Sequence, residues 1–131
     1  MRFASLGSGS QGNALLVEAG DTLILLDCGF GLAEVSARMA RLGLAADDLD
    51  AIIVTHEHGD HGSGVAKLSA RHDIPVYLTR GTLSGLAGEG RALKNRKFID
   101  AYTPFAIGEA EVRPYTVPHD AREPVQFVLT D

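Results

Sequence analysis

The segment Thr55-His56-Glu57-His58-Gly59-Asp60-His61 constrains this chain more than any other stretch. Three of the five histidines and two carboxylates fall in it, directly after the apolar run Ala51-Ile52-Ile53-Val54. Neutral imidazole and carboxylate are the ligands that zinc and similar divalent ions take. On a helix, His56 and His58 would point about 200° apart, whereas an extended stretch puts both on one face. The β-branched run before them predicts a strand over 51–55. The spacing also excludes the helical H-E-x-x-H pattern, whose histidines lie four positions apart. Gly59 lets the backbone turn sharply, which brings Asp60 and His61 round onto a second direction near a helix start. One loop can thus offer two ligands to each of two neighbouring metal positions. A solvated polar loop is the alternative reading.

The rest of the chain alternates strands and helices. Strands are expected at 2–6, 13–18 and 22–27, the last two forming a hairpin that turns at Gly20-Asp21. An amphipathic helix is expected over 31–42, with Leu32, Val35, Met39 and Leu42 on one face and Gly43 capping its end. Asp47-Asp48-Leu49-Asp50 is a loop. Further helices are expected at 62–71 and near 81–87, and strands at 74–79, 97–101, 110–117 and 125–130. No repeat or low-complexity linker interrupts the chain, so residues 1–131 are expected to form a single domain.

Composition narrows the class. The longest apolar runs are four or five residues, far below the roughly 20 that span a bilayer, and Met1-Arg2-Phe3-Ala4-Ser5-Leu6-Gly7 lacks the apolar block of a secretory signal. The lone Cys28 has no intrachain disulfide partner, so a cytoplasmic protein is expected. The net charge of −5 argues against broad electrostatic capture of nucleic acid, without excluding a phosphodiester substrate at a metal site. Arg91, Lys94, Arg96 and Lys97 gather beyond Gly88-Glu89-Gly90, a cluster that usually marks a solvated face.

Gly7-x-Gly9-x-x-Gly12 matches the dinucleotide-binding fingerprint, with Asp27 about 20 residues beyond its first glycine. A long helix should follow, but Asn13 to Glu18 is a short β-type run. These glycines are therefore expected to shape a turn that holds Ser10 and Asn13 near the histidine segment.

His56-x-His58-x-Asp60-His61 after a hydrophobic strand resembles the signature of the metallo-β-lactamase superfamily. Leu25-Leu26-Asp27-Cys28-Gly29 is similar to the strand-end aspartate and glycine that precede that signature. Val117-Pro118-His119-Asp120-Ala121-Arg122-Glu123-Pro124-Val125 is similar to the segment carrying the next histidine ligand. With Ser8-Gly9-Ser10-Gln11-Gly12-Asn13, it points to a branch of small bacterial hydrolases regarded as DNA exonucleases, relatives of ribonuclease Z and ribonuclease J.

The resemblance implies an α/β fold of helix, sheet, sheet, helix layers, an αββα sandwich. It implies up to two zinc ions, with manganese or iron as alternatives. His56, His58 and His119 would hold one, and Asp60 and His61 the other. Asp60 would also orient the nucleophile, and Asp27 would orient a ligand histidine or the metal loop. His119 and Asp27 have plainer alternatives, a surface-loop residue and a turn-starting aspartate. The implied activity is phosphodiester hydrolysis by metal-activated hydroxide, on DNA. Hydrolysis of a thioester, lactone or other small ester is the second reading. The third is a non-enzymatic metal-binding module that completes itself by self-association through an open sheet edge.

Two departures stand out. Family members run to about twice this length and supply a bridging aspartate and a last histidine after the His119 segment. The chain is therefore expected to be the N-terminal half of the fold, with little activity alone. Gln126 stands where the branch has glycine, which questions close backbone approach there.

Overall fold

Runs such as Leu23-Ile24-Leu25-Leu26 and Ala51-Ile52-Ile53 are apolar at every position because both faces of the sheet they build are covered. The computed structural model describes residues 1–86 and 93–131. Strands β1 (Arg2–Gly7), β2 (Ala14–Ala19), β3 (Thr22–Leu26), β4 (Ala51–Ile53), β5 (Val76–Leu78) and β6 (Arg96–Phe98) lie side by side in chain order. The first three pair antiparallel and β3 to β6 pair parallel. A second, antiparallel sheet holds β7 (Phe105–Ile107), β8 (Ala110–Thr116) and β9 (Val125–Thr130).

Strand alternation sorts the core into two layers. Leu23, Leu25, Ile52, Val76 and Leu78 face the helices, packing with Val35 and Met39 of α1 (Leu32–Ala40) and Val65 and Leu68 of α3 (Val65–His72). Ile24, Ala51 and Ile53 face the other way, against Ile107, Ala110 and Val112 of the second sheet. The order of layers is helix, sheet, sheet. Among the described residues no helix covers the outer face of the second sheet, so three of the four expected layers are present. The sheets are also tied through their turns. The Glu109 carboxylate accepts from the Asp21 N–H at 2.8 Å, and the Thr22 hydroxyl oxygen accepts from the Glu109 N–H at 2.9 Å.

The expected hairpin turns at Gly20-Asp21, with Ala19 paired to Thr22 and Gly20 at φ 58°. Helix α1 stops at Ala40, and Gly43 (φ 74°) ends it as expected. The Gly43 N–H bonds to Ala40 O and the Leu44 N–H to Met39 O, the double closure of a Schellman motif. Leu42 departs from its expected inner position: it lies past the helix and is 49% exposed. The single helix expected over 62–71 is two pieces, α2 (Gly59–Gly62) and α3. At the junction the Gly64 N–H bonds outside the helix, to Cys28 O at 2.9 Å, and residue 64 must be glycine because a Cβ there would collide with the Phe30 carbonyl oxygen. The loop at 47–50 carries a single 3₁₀ turn over Ala46–Asp48, whose Asp47 bonds His72 Nδ1 at 2.6 Å.

Helix α4 (Arg80–Gly85) starts at Thr79, whose hydroxyl accepts from the Thr82 N–H. Residue 87, the far end of the expected helix, lies outside the described residues, as do Gly88-Glu89-Gly90 and Arg91. Strand β6 ends at Phe98, earlier than expected. Just beyond it, the Asp100 carboxylate accepts from the Tyr102 N–H, the Thr103 N–H and the Thr103 hydroxyl, and this turn diverts the backbone from the sheet. Strand β7 has no counterpart in the sequence expectations. Among the described residues no helix is long and apolar enough to cross a membrane.

Candidate metal centre

The site lies where β3 and β4 end, beneath the loop joining β8 to β9. In open α/β sheets the crevice outside the carboxyl ends of parallel strands is the usual place for chemistry. Backbone bonds lace three segments together there. The Asp27 N–H bonds to Ile53 O at 2.8 Å, Cys28 N–H to His61 O at 2.8 Å, Gly29 N–H to Asn13 O at 3.0 Å and Asn13 N–H to Asp60 O at 2.7 Å. Glycine at 29 is required by this lacing, because a Cβ would meet the Asp60 carbonyl.

Four imidazoles converge on this point. The His56 ring lies with its centroid 4.8 Å from that of His58, 4.2 Å from His61 and 4.4 Å from His119, and His58 and His119 are 5.0 Å apart. His56 is buried, His58 half-buried and His119 exposed. Each of these three offers a ligand atom, and the atoms lie within 4.8 Å of one another. His61 Nε2 lies 3.6 Å from Asp60 Oδ2. The extended backbone at His58, which caps α2, puts it on the His56 side, as the two-residue spacing requires.

Asp27 sits behind the cluster, buried, with its backbone in the left-handed region (φ 60°). Its carboxylate accepts from the Thr55 N–H, from the Thr55 hydroxyl and from His61 Nδ1, each at 2.7 Å. Because the Thr55 hydroxyl hydrogen is committed to Asp27, its oxygen accepts from His56 Nδ1 at 2.8 Å. One aspartate therefore sets two tautomers: Nδ1 carries the proton on both His56 and His61, and Nε2 keeps its lone pair. Asn13 steadies the neighbouring carboxylate, its side-chain amide donating to Asp60 O at 3.1 Å and to Asp60 Oδ2 at 3.2 Å. Ser10, expected beside the site with Asn13, instead lines a separate cleft with Phe30, Glu34 and Arg38.

The environment separates the two buried-side histidines. Burial, then repulsion from the other imidazoles, lowers the pKa of His56 to about 4, against a partial opposing pull from Asp27. The hydrogen bond to Asp27 raises that of His61. Cys28 is close in sequence but is no ligand. Burial pushes its thiol up to about 11 and its sulfur contacts the Phe30 carbonyl.

The loop that carries His119 is anchored from both sides. Glu57 points away from the imidazoles, and its carboxylate accepts from the Arg122 N–H at 3.1 Å. Glu123 Oε1 accepts from the Gly81 N–H at 2.9 Å, and Glu123 O accepts from the Thr79 hydroxyl at 2.9 Å. The Val125 N–H bonds to Thr55 O at 2.9 Å. Exposed Gln126 leaves that backbone contact intact. Thr55, Glu57 and Glu123 were not distinguishable as site residues in the sequence. The only signals were a hydroxyl directly before the first histidine, an acidic residue between the first two, and another four residues after His119.

A divalent ion fits this donor set. Tetrahedral zinc–imidazole bonds of about 2.0–2.1 Å place donors about 3.3 Å apart, a contraction that modest rotamer shifts of half-buried His58 and exposed His119 supply. Nε2 of His56, the atom its relay leaves unprotonated, is the donor such an ion requires.

The description of the metallo-beta-lactamase superfamily matches residues 7–130, and the chain belongs to that superfamily. It is 34% identical over 131 residues to the exodeoxyribonuclease YycJ of Bacillus anthracis, covering 98% of this chain and 50% of that protein. It is 28% identical over 127 residues to the exodeoxyribonuclease WalJ of Streptococcus pneumoniae, covering 94% of this chain and 47% of the relative. The chain thus spans about half the length of these relatives. Among solved structures it is similar to MEM-A1, a subclass B3 metallo-beta-lactamase from a soil metagenome library. The TM-score is 0.79 at 19% identity, covering 97% of this chain and 54% of that one, a likeness of fold.

Proposed function

We propose that this chain carries the histidine-bearing part of a metal-dependent phosphodiester hydrolase of the DNA exonuclease kind, working in the cytoplasm. The observation that carries the reading is the convergence of His56, His58 and His119, with one ligand atom from each within 4.8 Å of the others. The likeness to two exodeoxyribonucleases supports the choice of bond. His56, His58 and His119 would hold one ion, zinc, manganese or iron, and Asp60 with His61 would contribute to a second. A bound divalent ion supplies Lewis acidity toward a phosphoryl oxygen and a low-pKa source of hydroxide.

The chain's own residues do the rest. Asp27 and Thr55 fix the imidazole tautomers. Asp60, held by Asn13, presents a carboxylate oxygen to the same space and orients the attacking water. Glu57 and Glu123 hold the loop so that His119 meets the other two rings. The test is metal-dependent cleavage of single-stranded DNA, double-stranded DNA and a small-ester panel by the protein and by its His58→Ala variant. DNA cleavage that requires both the metal and His58 supports the reading. Ester turnover without DNA cleavage overturns the choice of substrate.

A further inference from the structure

A second feature adjoins the metal centre on the helix-covered side of the six-stranded sheet. A groove of about 500 Å³ is lined by Arg80, Leu83, Ser84, Leu86, Arg96 and Phe98. Phe98, on edge strand β6, is 38% exposed. The Arg80 guanidinium lies 4.0 Å from its ring centroid and that of Arg96 5.7 Å away. The arginines paired with carboxylates among the described residues are Arg2, Arg38 and Arg113. Arg80, Arg96 and Arg122 are not among them.

The groove abuts the site. Arg122 donates from its guanidinium to Ser84 Oγ at 3.3 Å and from its backbone to Glu57, which lies between two of the histidines. Leu86 packs against Gly62 of α2, so a Cβ there would press on it. Along the groove three cations and one aromatic face therefore line up from Arg96 to the His119 loop.

The plainer reading is that Arg96 and Lys97 are edge-strand charges that keep a foreign strand away. That accounts for neither Arg80, which stands on a helix, nor an exposed phenylalanine, which invites pairing. Single-stranded nucleic acid is held by bases stacking on aromatic rings and guanidinium groups meeting phosphates; here the Arg80 guanidinium already covers one face of Phe98, so a base meets the ring on the part left exposed.

We propose that the Arg80–Phe98–Arg96 groove is a track for a single-stranded polynucleotide, delivering it past Arg122 to the metal centre. The proposal rests on the phosphodiester reading above. The test is fluorescence anisotropy with a labelled 15-nucleotide oligo-dT and the chain in EDTA, so that binding is read without turnover. Arg80→Glu and Arg96→Glu are each expected to weaken binding at least tenfold. Phe98→Ala is expected to weaken it about fivefold or more, the lower end for one stacked base. Lys97→Glu makes the same charge change one residue along the strand, where side chains point to the opposite face, and is expected to stay within twofold.

Three cations predict a log K against log salt slope of about −2 for a single strand. Circular dichroism verifies folding, and Arg80→Gln replaces Arg80→Glu if the latter melts early. Oligo-rU binding equal to oligo-dT supports a track that does not read the sugar. Wild-type protein that fails to bind, Lys97→Glu matching Arg96→Glu, or Phe98→Ala without effect each overturns the proposal. Zinc uptake by the wild type, titrated in parallel, separates the two ideas. Zinc binding at the histidines without strand binding sinks the track alone, and strand binding by a protein that takes up no zinc sinks the hydrolase reading alone.

Discussion

Replacing Asp27 with asparagine should disable the metal centre while leaving the fold almost untouched. Asparagine is the sharp probe because it tolerates the left-handed backbone found at this position, φ 60°. Its oxygen can still accept from the Thr55 N–H. Its amide nitrogen, however, now faces the Thr55 hydroxyl and His61 Nδ1, both 2.7 Å from the oxygen it replaces. A donor there turns His61 Nδ1 into an acceptor and moves the proton to Nε2. The Thr55 hydroxyl is released to donate to His56 Nδ1, and that ring inverts too. Every buried polar atom keeps a partner, so the stability cost is about 1 kcal/mol, the difference between a charged and a neutral acceptor.

Metal affinity should fall about 10- to 100-fold, the usual effect of losing an outer carboxylate that orients a ligand histidine. Competition against a chromophoric chelator gives the affinity, and long-range ¹⁵N–¹H spectra of the metal-free protein give the tautomers. Asp27→Ala is the contrast. It strands the buried Thr55 N–H and hydroxyl and strains the backbone, so it should cost about 3 kcal/mol or more. An Asp27→Asn protein that binds zinc within twofold of the wild type, with Nε2 protonated on either ring, would refute the relay.

Glu57→Ala should weaken metal binding several-fold by freeing the His119 loop, with a melting shift of only a few degrees because its bonds to Arg122 are exposed; an unchanged affinity would show that Glu123 and Val125 suffice. Gly29→Ala should destabilise the chain by about 2 kcal/mol or more, since the added methyl meets the Asp60 carbonyl; a melt within a degree of wild type would contradict that. In the metal-free protein His56 should stay neutral down to about pH 4 and His61 should titrate above 6.5. The His56 contribution to stability is then present above 6.5 and lost as pH falls toward 4, whereas that of His61 is present below 6.5 and lost as pH rises through its folded value; two histidines titrating together near 6.5 by NMR would refute both. Zinc titration by calorimetry should show one equivalent bound well ahead of a second, because one position has three imidazoles and the other only Asp60 and His61; two equal sites would mean a missed donor.

The histidine segment was legible because its information is local. The i, i+2 spacing, a glycine turn and a β-branched lead-in decide the geometry within seven residues. The hairpin at Gly20-Asp21 and the cap at Gly43 were legible for the same reason. What escaped depends on partners distant in the chain. Strand β7 is only Phe105-Ala106-Ile107, and it exists because β8 pairs with it. Splitting the helix after the motif involves the Cys28 carbonyl, which takes the Gly64 N–H and which no reading of residues 59–72 supplies. Thr55 looked like the end of a strand, yet its hydroxyl carries the link from Asp27 to His56. Of the basic cluster seen along the sequence at 91–97, the two strand residues part in three dimensions. Arg96 turns to the groove with Arg80, Lys97 to the opposite face, and Phe98, unremarked in the sequence, lies between the arginines.

The arrangement of anchors explains how an exposed histidine such as His119 is held beside His56 and His58. A loop of eight residues between Thr116 and Val125 would ordinarily sample many conformations. Here it is bonded at residues 122 and 123, to Glu57 and to Gly81 and Thr79, and Val125, which opens β9 directly after it, bonds to Thr55. Two of those anchors, Thr55 and Glu57, belong to the segment that carries the other histidines. The loop backbone is therefore tied to the segment that carries the other two histidines. Asp27 extends the same logic inward, since one carboxylate fixes Thr55, His56 and His61 together. The donors in this chain are thus oriented by the chain itself, through β3, β4 and α4, before any ion arrives. Such preorganisation strengthens metal binding by reducing the ordering left to be done on capture. It also makes the anchors, rather than the exposed ligand alone, the residues whose loss scatters the site.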